Sequence, residues 1–220
     1  MELSEFVDTM NSWGKSKSPF LFIVDFEMKK PVIFRLNEIN GNDIRYDING
    51  FTNVHHEKVH SKINLRKSPA PLSSYEKKFN KVLGYLEYGD SFLTNLTIAT
   101  EVTLDHSLEH LFFQSEAKYK LLFGAEFLVF SPETFVQIKG GKIYAYPMKG
   151  TIDASMDEAR QVILADKKEL AEHVTIVDLL RNDLSQVASN VTVTRFRYID
   201  EVKTAAKNLF QVSSEICGTL

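Results

Sequence analysis

The glycine pair Gly140-Gly141 interrupts a strand-like segment, Thr134 to Tyr146, and such a pair commits the chain to fold back on itself as a hairpin. Pro19 to Phe26 is a dense apolar run answered, after a charged turn, by Pro31 to Phe34, a second hairpin with one strand largely buried. Tyr119 to Phe130 reads as strand, and Val191 to Tyr198 and Asn208 to Cys217 supply two more. Hairpin-joined strands with helices between them specify an α+β protein, with mostly antiparallel sheets flanked by helices rather than a doubly wound parallel sheet.

The helices carry their own signals. Ser73 or Ser74 can cap a helix whose apolar positions Tyr75, Phe79, Val82, Leu83 and Leu86 follow the 3.6 period up to Gly89. Ser91 to Thr103 is rich in strand formers, and Asp105 can cap a short helix through Leu108, Leu111 and Phe112. Ser155-Met156-Asp157-Glu158 has capping-box spacing, and Asp166 to Glu169 has a related one. The second starts a helix running to about Val187, with Leu170, Val174, Val177, Leu180 and Leu184 on its buried face. From Asn37 to Pro71 the text is polar and weakly patterned, closing in a Pro69-Ala70-Pro71 linker.

Composition removes several function classes. With 26 basic and 29 acidic side chains the net charge is −3, which gives no basic footprint for nucleic acid. A single cysteine, Cys217, excludes an internal disulfide framework and a cysteine-built zinc site, and its apolar setting reads as structural. No apolar run approaches membrane-spanning length and the amino terminus lacks a signal-peptide pattern, so a cytoplasmic protein is expected. His56-Glu57-Lys58-Val59-His60 matches H-E-x-x-H, but three fixed positions in a polar stretch read as a solvated segment, not a zinc site. The sequons at Asn95 and Asn190 have no secretion signal to make them matter, and Trp13 and the sixteen phenylalanines read as core.

Three stretches carry chemistry together: Ser131-Pro132-Glu133, Pro147-Met148-Lys149-Gly150-Thr151, and Glu169-Leu170-Ala171-Glu172-His173 continuing into Val177-Asp178-Leu179-Leu180-Arg181-Asn182-Asp183-Leu184. In this order and at these spacings they resemble the chorismate-binding enzymes, among them anthranilate, aminodeoxychorismate, isochorismate and salicylate synthases. Gly89-Asp90-Ser91-Phe92-Leu93-Thr94-Asn95-Leu96-Thr97 extends the likeness, which covers residues 71–220 and only loosely 1–70. The resemblance implies an anthranilate synthase component I-like fold, present as a single chorismate-binding domain over 1–220 and incomplete at its C-terminus. A lone 220-residue chain is then expected to be inactive, completed by a longer polypeptide or a partner chain. No tryptophan-sensing element is recognisable in the first 70 residues.

Lysine at position 149 points within the family to aminodeoxychorismate synthase component I, whose relatives of the anthranilate and isochorismate types have a small residue there. By resemblance Lys149 attacks the second ring carbon of chorismate as a nucleophile while Glu133, a general acid, protonates the departing 4-hydroxyl. Ammonia then enters at the fourth carbon and expels Lys149, giving 4-amino-4-deoxychorismate on the para-aminobenzoate and folate branch. The backbone of Gly150 and Thr151 matches the substrate-binding segment, and Glu172 matches a magnesium ligand, with Mg²⁺ as the implied cofactor. Chorismate and ammonia from a separate glutamine amidotransferase subunit are the implied partners, since no amidotransferase apparatus is present. Asp178, Arg181, Asn182 and Asp183 read as helix structure, and the place of a family histidine falls on Gln211. Anthranilate- or isochorismate-type activity and a non-catalytic chorismate-binding relative are the alternatives.

Strand alternation adds one geometric expectation. A two-residue turn at Gly140-Gly141 pairs 133 with 148 and so puts Glu133 and Lys149 on opposite faces. A three-residue loop or a bulge in that hairpin, with a glycine at positive φ, is therefore expected.

Overall fold

The computed structural model describes residues 1–54, 61–203 and 207–220. The chain begins with α1 (Leu3–Lys15), β1 (Phe20–Ile23), β2 (Val32–Arg35), a 3₁₀ turn (Leu36–Glu38), β3 (Ile44–Ile48) and β4 (Phe51–Thr52). Then come β5 (Leu65–Ser68), α2 (Leu72–Tyr88), β6 (Glu101–Leu104), α3 (Leu108–Gln114), β7 (Tyr119–Phe123) and β8 (Phe127–Ser131). It continues with β9 (Gln137–Lys139), β10 (Lys142–Ala145), β11 (Met148–Asp153), α4 (Ala159–Ala165), α5 (Lys167–Ser185), β12 (Ser189–Val202) and β13 (Leu209–Thr219). Every described strand pair is antiparallel, as the hairpin signals require. Two compact units result, one from residues 1–54 and 116–220, the other within 61–115 among the described residues.

The larger unit is organised around β13. Along one edge β13 pairs with β12 over almost its whole length, from Ser189↔Thr219 to Val202↔Leu209. Along the other it pairs first with β11 and then with β10, whose free edge takes β9. Helix α5 packs on this sheet through Val177, Leu180 and Leu184 against Ile143, Ala145 and Ile216. Each fully buried aliphatic side chain there contributes about 1.5–3 kcal/mol. Gly218 is required where it stands: a Cβ would lie 2.8 Å from Ala188 Cβ and 3.0 Å from Val191 Cγ2. A second core joins Leu21 of the β1–β2 hairpin to Ile44 and Tyr46 of β3, with Phe34, Leu121 and Phe123 around them.

Several sequence expectations shift. The α1 helix was not anticipated, although Phe6, Met10 and Trp13 fall at helical spacing; Phe6 meets Phe22 edge-on, and Trp13 meets Phe20. The segment 37–71 contains β3, whose buried Ile44 and Tyr46 alternate with Arg45 and Asp47. Tyr119 to Phe130 is not one strand but the β7–β8 hairpin, turned at Gly124, whose φ is +52°. Between 91 and 103 only the residues from Glu101 onward form strand, leaving Asn95-Leu96-Thr97 without regular structure. The cap of α3 is Ser107, whose hydroxyl accepts from the His110 amide, and not Asp105. Helix α2 starts after Pro71 without a serine cap and ends as expected at Gly89 in the left-handed conformation. Its apolar stripe is not sealed: Tyr75, Phe79 and Leu83 are exposed. Several phenylalanines expected in the core lie on the surface, Phe26, Phe92 and Phe135 almost fully exposed. The Ser155 capping box does not start α4; that helix begins after Glu158, and Ser155 instead turns back to Asp153.

Candidate functional site

Strands β10 and β11 follow one another along the same edge of β13, joined at Tyr146-Pro147, whose carbonyl accepts from the Ser214 amide at 3.0 Å. Met148 faces Ser213 and Thr151 faces Gln211, so three steps on β11 match two on β13. The extra residue is a bulge at Lys149-Gly150, and Gly150 takes φ +86°, where a side chain is strained. The Gly140-Gly141 hairpin itself is a regular two-residue turn, with Lys139 paired to Lys142 and both glycines at positive φ. The expected three-residue loop or bulge is therefore absent from that hairpin. The ladder ends at Gln137↔Tyr144, before Glu133 or Met148 is reached, so the assumed 133–148 pairing does not form.

The bulge brings the Lys149-Gly150-Thr151 segment against the first turns of α5. A Cβ on Gly150 would lie 3.2 Å from Glu169 Oε2 and 3.5 Å from Ile163 Cδ1. Helix α5 starts where the sequence places it, with the Asp166 carboxylate accepting from the Glu169 amide at 3.0 Å. Glu169 and Glu172 stand one turn apart, both half-buried, and share Lys168, at 4.0 Å and 3.3 Å respectively. The two carboxylates raise the Lys168 pKa, Glu172 foremost through its hydrogen bond. Lys149 and Gly150 are half-buried and Thr151 is exposed.

Glu133 lies apart from this group in the connection after β8. Its amide donates to Ser131 Oγ at 3.0 Å and its side chain is exposed. Among the described residues no hydrogen bond or ion pair joins Glu133 to Lys149. Gln211, where the family histidine would fall, sits directly opposite Thr151. Asp178 and Arg181 pair at 2.8 Å on the exposed face of α5, the structural role expected of them. Cys217 is a buried free thiol within β13. The H-E-x-x-H segment His56–His60 lies outside the described residues.

One site residue was missed. His173, one position after Glu172, is completely buried at the point where an aliphatic face was expected, while Leu170 and Val174 point outward. Its Nε2 lies 2.7 Å from Ser214 Oγ, which also accepts from the Arg197 amide at 2.9 Å. Burial holds the His173 pKa down, the Arg197 charge acts the same way, and the Lys149 backbone beside it opposes both. Nδ1 remains without a hydrogen-bond partner, as do the neighbouring Ser213 Oγ and Arg197 Nε. Arg197 reaches this position through another bulge, with φ +49°, and its guanidinium donates to the Leu164 and Ile163 carbonyls at the end of α4. His173 thus ties α5 to β13, with the Lys149 backbone beside its ring. Its signal in sequence was a lone histidine on the core-facing stripe.

Among the described residues no helix is long and apolar enough to cross a membrane, and no group of three or more His, Cys, Asp or Glu side chains is placed to hold a metal. Glu169 and Glu172 nevertheless fit Mg²⁺ by donor chemistry. Two hard carboxylates already hold an ammonium between them, and Mg²⁺ ordinarily takes one or two carboxylates and completes its shell with water and substrate.

Comparison with known proteins places this geometry. Residues 36–220 match the chorismate binding enzyme family. An uncharacterized PabA-like protein of Haemophilus influenzae is 44% identical over 218 residues, covering 99% of this chain and 66% of that protein. Aminodeoxychorismate synthase component 1 of Klebsiella aerogenes is 34% identical over 126 residues, 52% of this chain and 28% of the enzyme. The crystal structure of the 2,3-dihydroxybenzoate-specific isochorismate synthase DhbC of Bacillus anthracis superposes with a TM-score of 0.60 at 16% identity, covering 99% of this chain and 60% of that one, a likeness of fold. The chain therefore spans two thirds or less of the length of these relatives.

Proposed function

The chain belongs to the chorismate-binding enzyme family, and from that premise we propose that it is the chorismate-converting part of an aminodeoxychorismate synthase component I. The observation that carries this reading is the single-residue bulge at Lys149-Gly150, seated against Glu169 at the start of α5. It brings a lysine, a glycine against which Glu169 packs closely, and the paired carboxylates of α5 into one place.

Lys149, as the neutral amine, attacks the second ring carbon of chorismate; both ring double bonds shift and the C4–O bond breaks. Glu133 gives its proton to the departing hydroxyl, which leaves as water, and this step requires Glu133 to approach the bulge when substrate binds. Ammonia then adds at the fourth carbon, both double bonds shift back, the Lys149 amine departs, and the new ammonium gives up a proton, leaving 4-amino-4-deoxychorismate. Gly150 and Thr151 present backbone groups to the substrate. Glu172, with Glu169, would hold Mg²⁺ in place of the Lys168 ammonium, and the ion supplies Lewis-acid and charge-neutralising chemistry for the ring carboxylate. His173 fixes the distance between the carboxylates and the bulge. Ammonia comes from a glutamine amidotransferase subunit in a cytoplasmic setting.

The experiment is mass spectrometry of the protein, at the length its cell makes, after incubation with chorismate and Mg²⁺ in the absence of ammonia and borohydride-free acid quench. The expected result is an adduct on Lys149. An adduct on another lysine, or none under conditions of turnover, overturns the assignment.

A further inference from the structure

In the smaller unit four polar side chains converge on one point that the proposed reaction does not use. Ser61 Oγ lies 2.6 Å from His110 Nε2, 3.4 Å from His106 Nε2 and 3.3 Å from Gln114 Oε1. The two imidazole rings stand with centroids 4.3 Å apart and planes inclined by 35°. The orientation of each group is fixed from behind. Asp105 Oδ1 sits 2.5 Å from His106 Nδ1, so the ring proton belongs on that nitrogen and Nε2 presents a bare lone pair to the cluster. Asp105 is held in turn by the Asn64 amide and side chain, at 3.1 Å and 2.6 Å to its two oxygens. Gln114 donates its amide to the Ser61 carbonyl, which turns Oε1 inward.

The hub is thus rich in acceptors. The His106 lone pair, the Gln114 carbonyl and the Ser61 oxygen share the Ser61 hydroxyl proton and whatever proton His110 brings. His110 Nε2 also lies 3.2 Å from Gln114 Oε1, so both imidazole nitrogens and the amide oxygen face the same small space. A carboxylate behind one imidazole is also the arrangement that fixes tautomer and raises basicity in histidine metal ligands.

We propose that His106 and His110, with Gln114 Oε1 as third donor and Asp105 as supporting carboxylate, form a binding site for a divalent transition cation, zinc or copper. Imidazole nitrogen selects these ions over Mg²⁺, so the site is chemically separate from the carboxylate pair on α5. All three donors come from α3 and the turn before it, while Ser61 and Asn64 border the site through hydrogen bonds. With two imidazoles and an amide oxygen the site is sparse, and the remaining coordination positions belong to water.

The test is titration of the 220-residue chain with Zn²⁺, followed by calorimetry, with Mg²⁺ in excess. The expected result is saturable one-to-one binding that Mg²⁺ does not displace. His106→Gln and His110→Gln abolish it, and Asp105→Asn, which removes no ligand, weakens it by about 10–100-fold. A variant with His55, His56 and His60 all changed to Gln retains it. Where a His106 or His110 variant fails to fold by circular dichroism, Cu²⁺ on the chain with His55, His56 and His60 changed to Gln reads the same question: hyperfine coupling to two imidazole nitrogens supports the site. Coupling to oxygen alone, binding that survives His106→Gln and His110→Gln, or binding that vanishes only with the other three histidines overturns it.

Discussion

Replacing Gly150 with alanine tests the bulge that organises the site. Gly150 has φ +86°, and forcing an L-residue there costs about 1–2 kcal/mol. Alanine also narrows the unfolded ensemble, which returns about 0.4–1 kcal/mol, so the net loss of stability is about 1 kcal/mol. For a chain of this size that lowers Tm by about 2–4 °C. The new Cβ meets Glu169 Oε2 at 3.2 Å, the mobile end of a half-buried side chain, so the carboxylate swings aside at little cost in stability. Its displacement shows in function: affinity for Mg²⁺ falls more than stability does. Thermal unfolding and Mg²⁺ titration of Gly150→Ala beside Gly150→Asn make the assay, since asparagine tolerates the left-handed region and brings back part of the loss. A Gly150→Ala protein as stable as the parent, or more so, would refute the bulge as the determinant of the segment's shape.

Other outcomes follow from the same contacts. Gly84 lies inside α2 with no atom within 4 Å of a built Cβ, so Gly84→Ala stabilises the chain by about 1 kcal/mol, read by urea unfolding. Gly218→Ala sets a methyl 2.8 Å from Ala188 Cβ and is destabilising by about 1–3 kcal/mol; a neutral result would mean that β12 and β13 do not approach as described. His173 is a base whose pKa is lowered on folding from 6.5 by burial and by Arg197, the charged group facing it, so the unfolded chain binds the proton more readily. Stability therefore falls as pH drops below about 6.5, and His173→Gln flattens that slope in denaturant titrations at several pH values. An unchanged slope would remove His173 as its source.

The antiparallel α+β class was legible because hairpin chemistry is local: Gly140-Gly141 turns as two adjacent glycines at positive φ must, and Asp166 caps α5 through its own carboxylate. What stayed hidden depended on partners distant in sequence. The bulge at Lys149-Gly150 arises from register against β13, some sixty residues away, and nothing in Pro147–Thr151 by itself distinguishes a bulge from a turn. The buried face of α5 was misplaced by about one position because His173 was counted as polar. Ser214 and a bulged Arg197 make its burial acceptable, and both come from the later hairpin. Strand β3 was missed for a simpler reason: its alternation spans five residues in a stretch whose surrounding composition is polar.

Product identification bears most directly on the account. The protein, at the length its cell makes, is incubated with chorismate, ammonium and Mg²⁺, and the products are separated and identified by mass. The account predicts 4-amino-4-deoxychorismate, lost in Lys149→Ala while chorismate still binds. Anthranilate or isochorismate as the product, or turnover undiminished by Lys149→Ala, would contradict it.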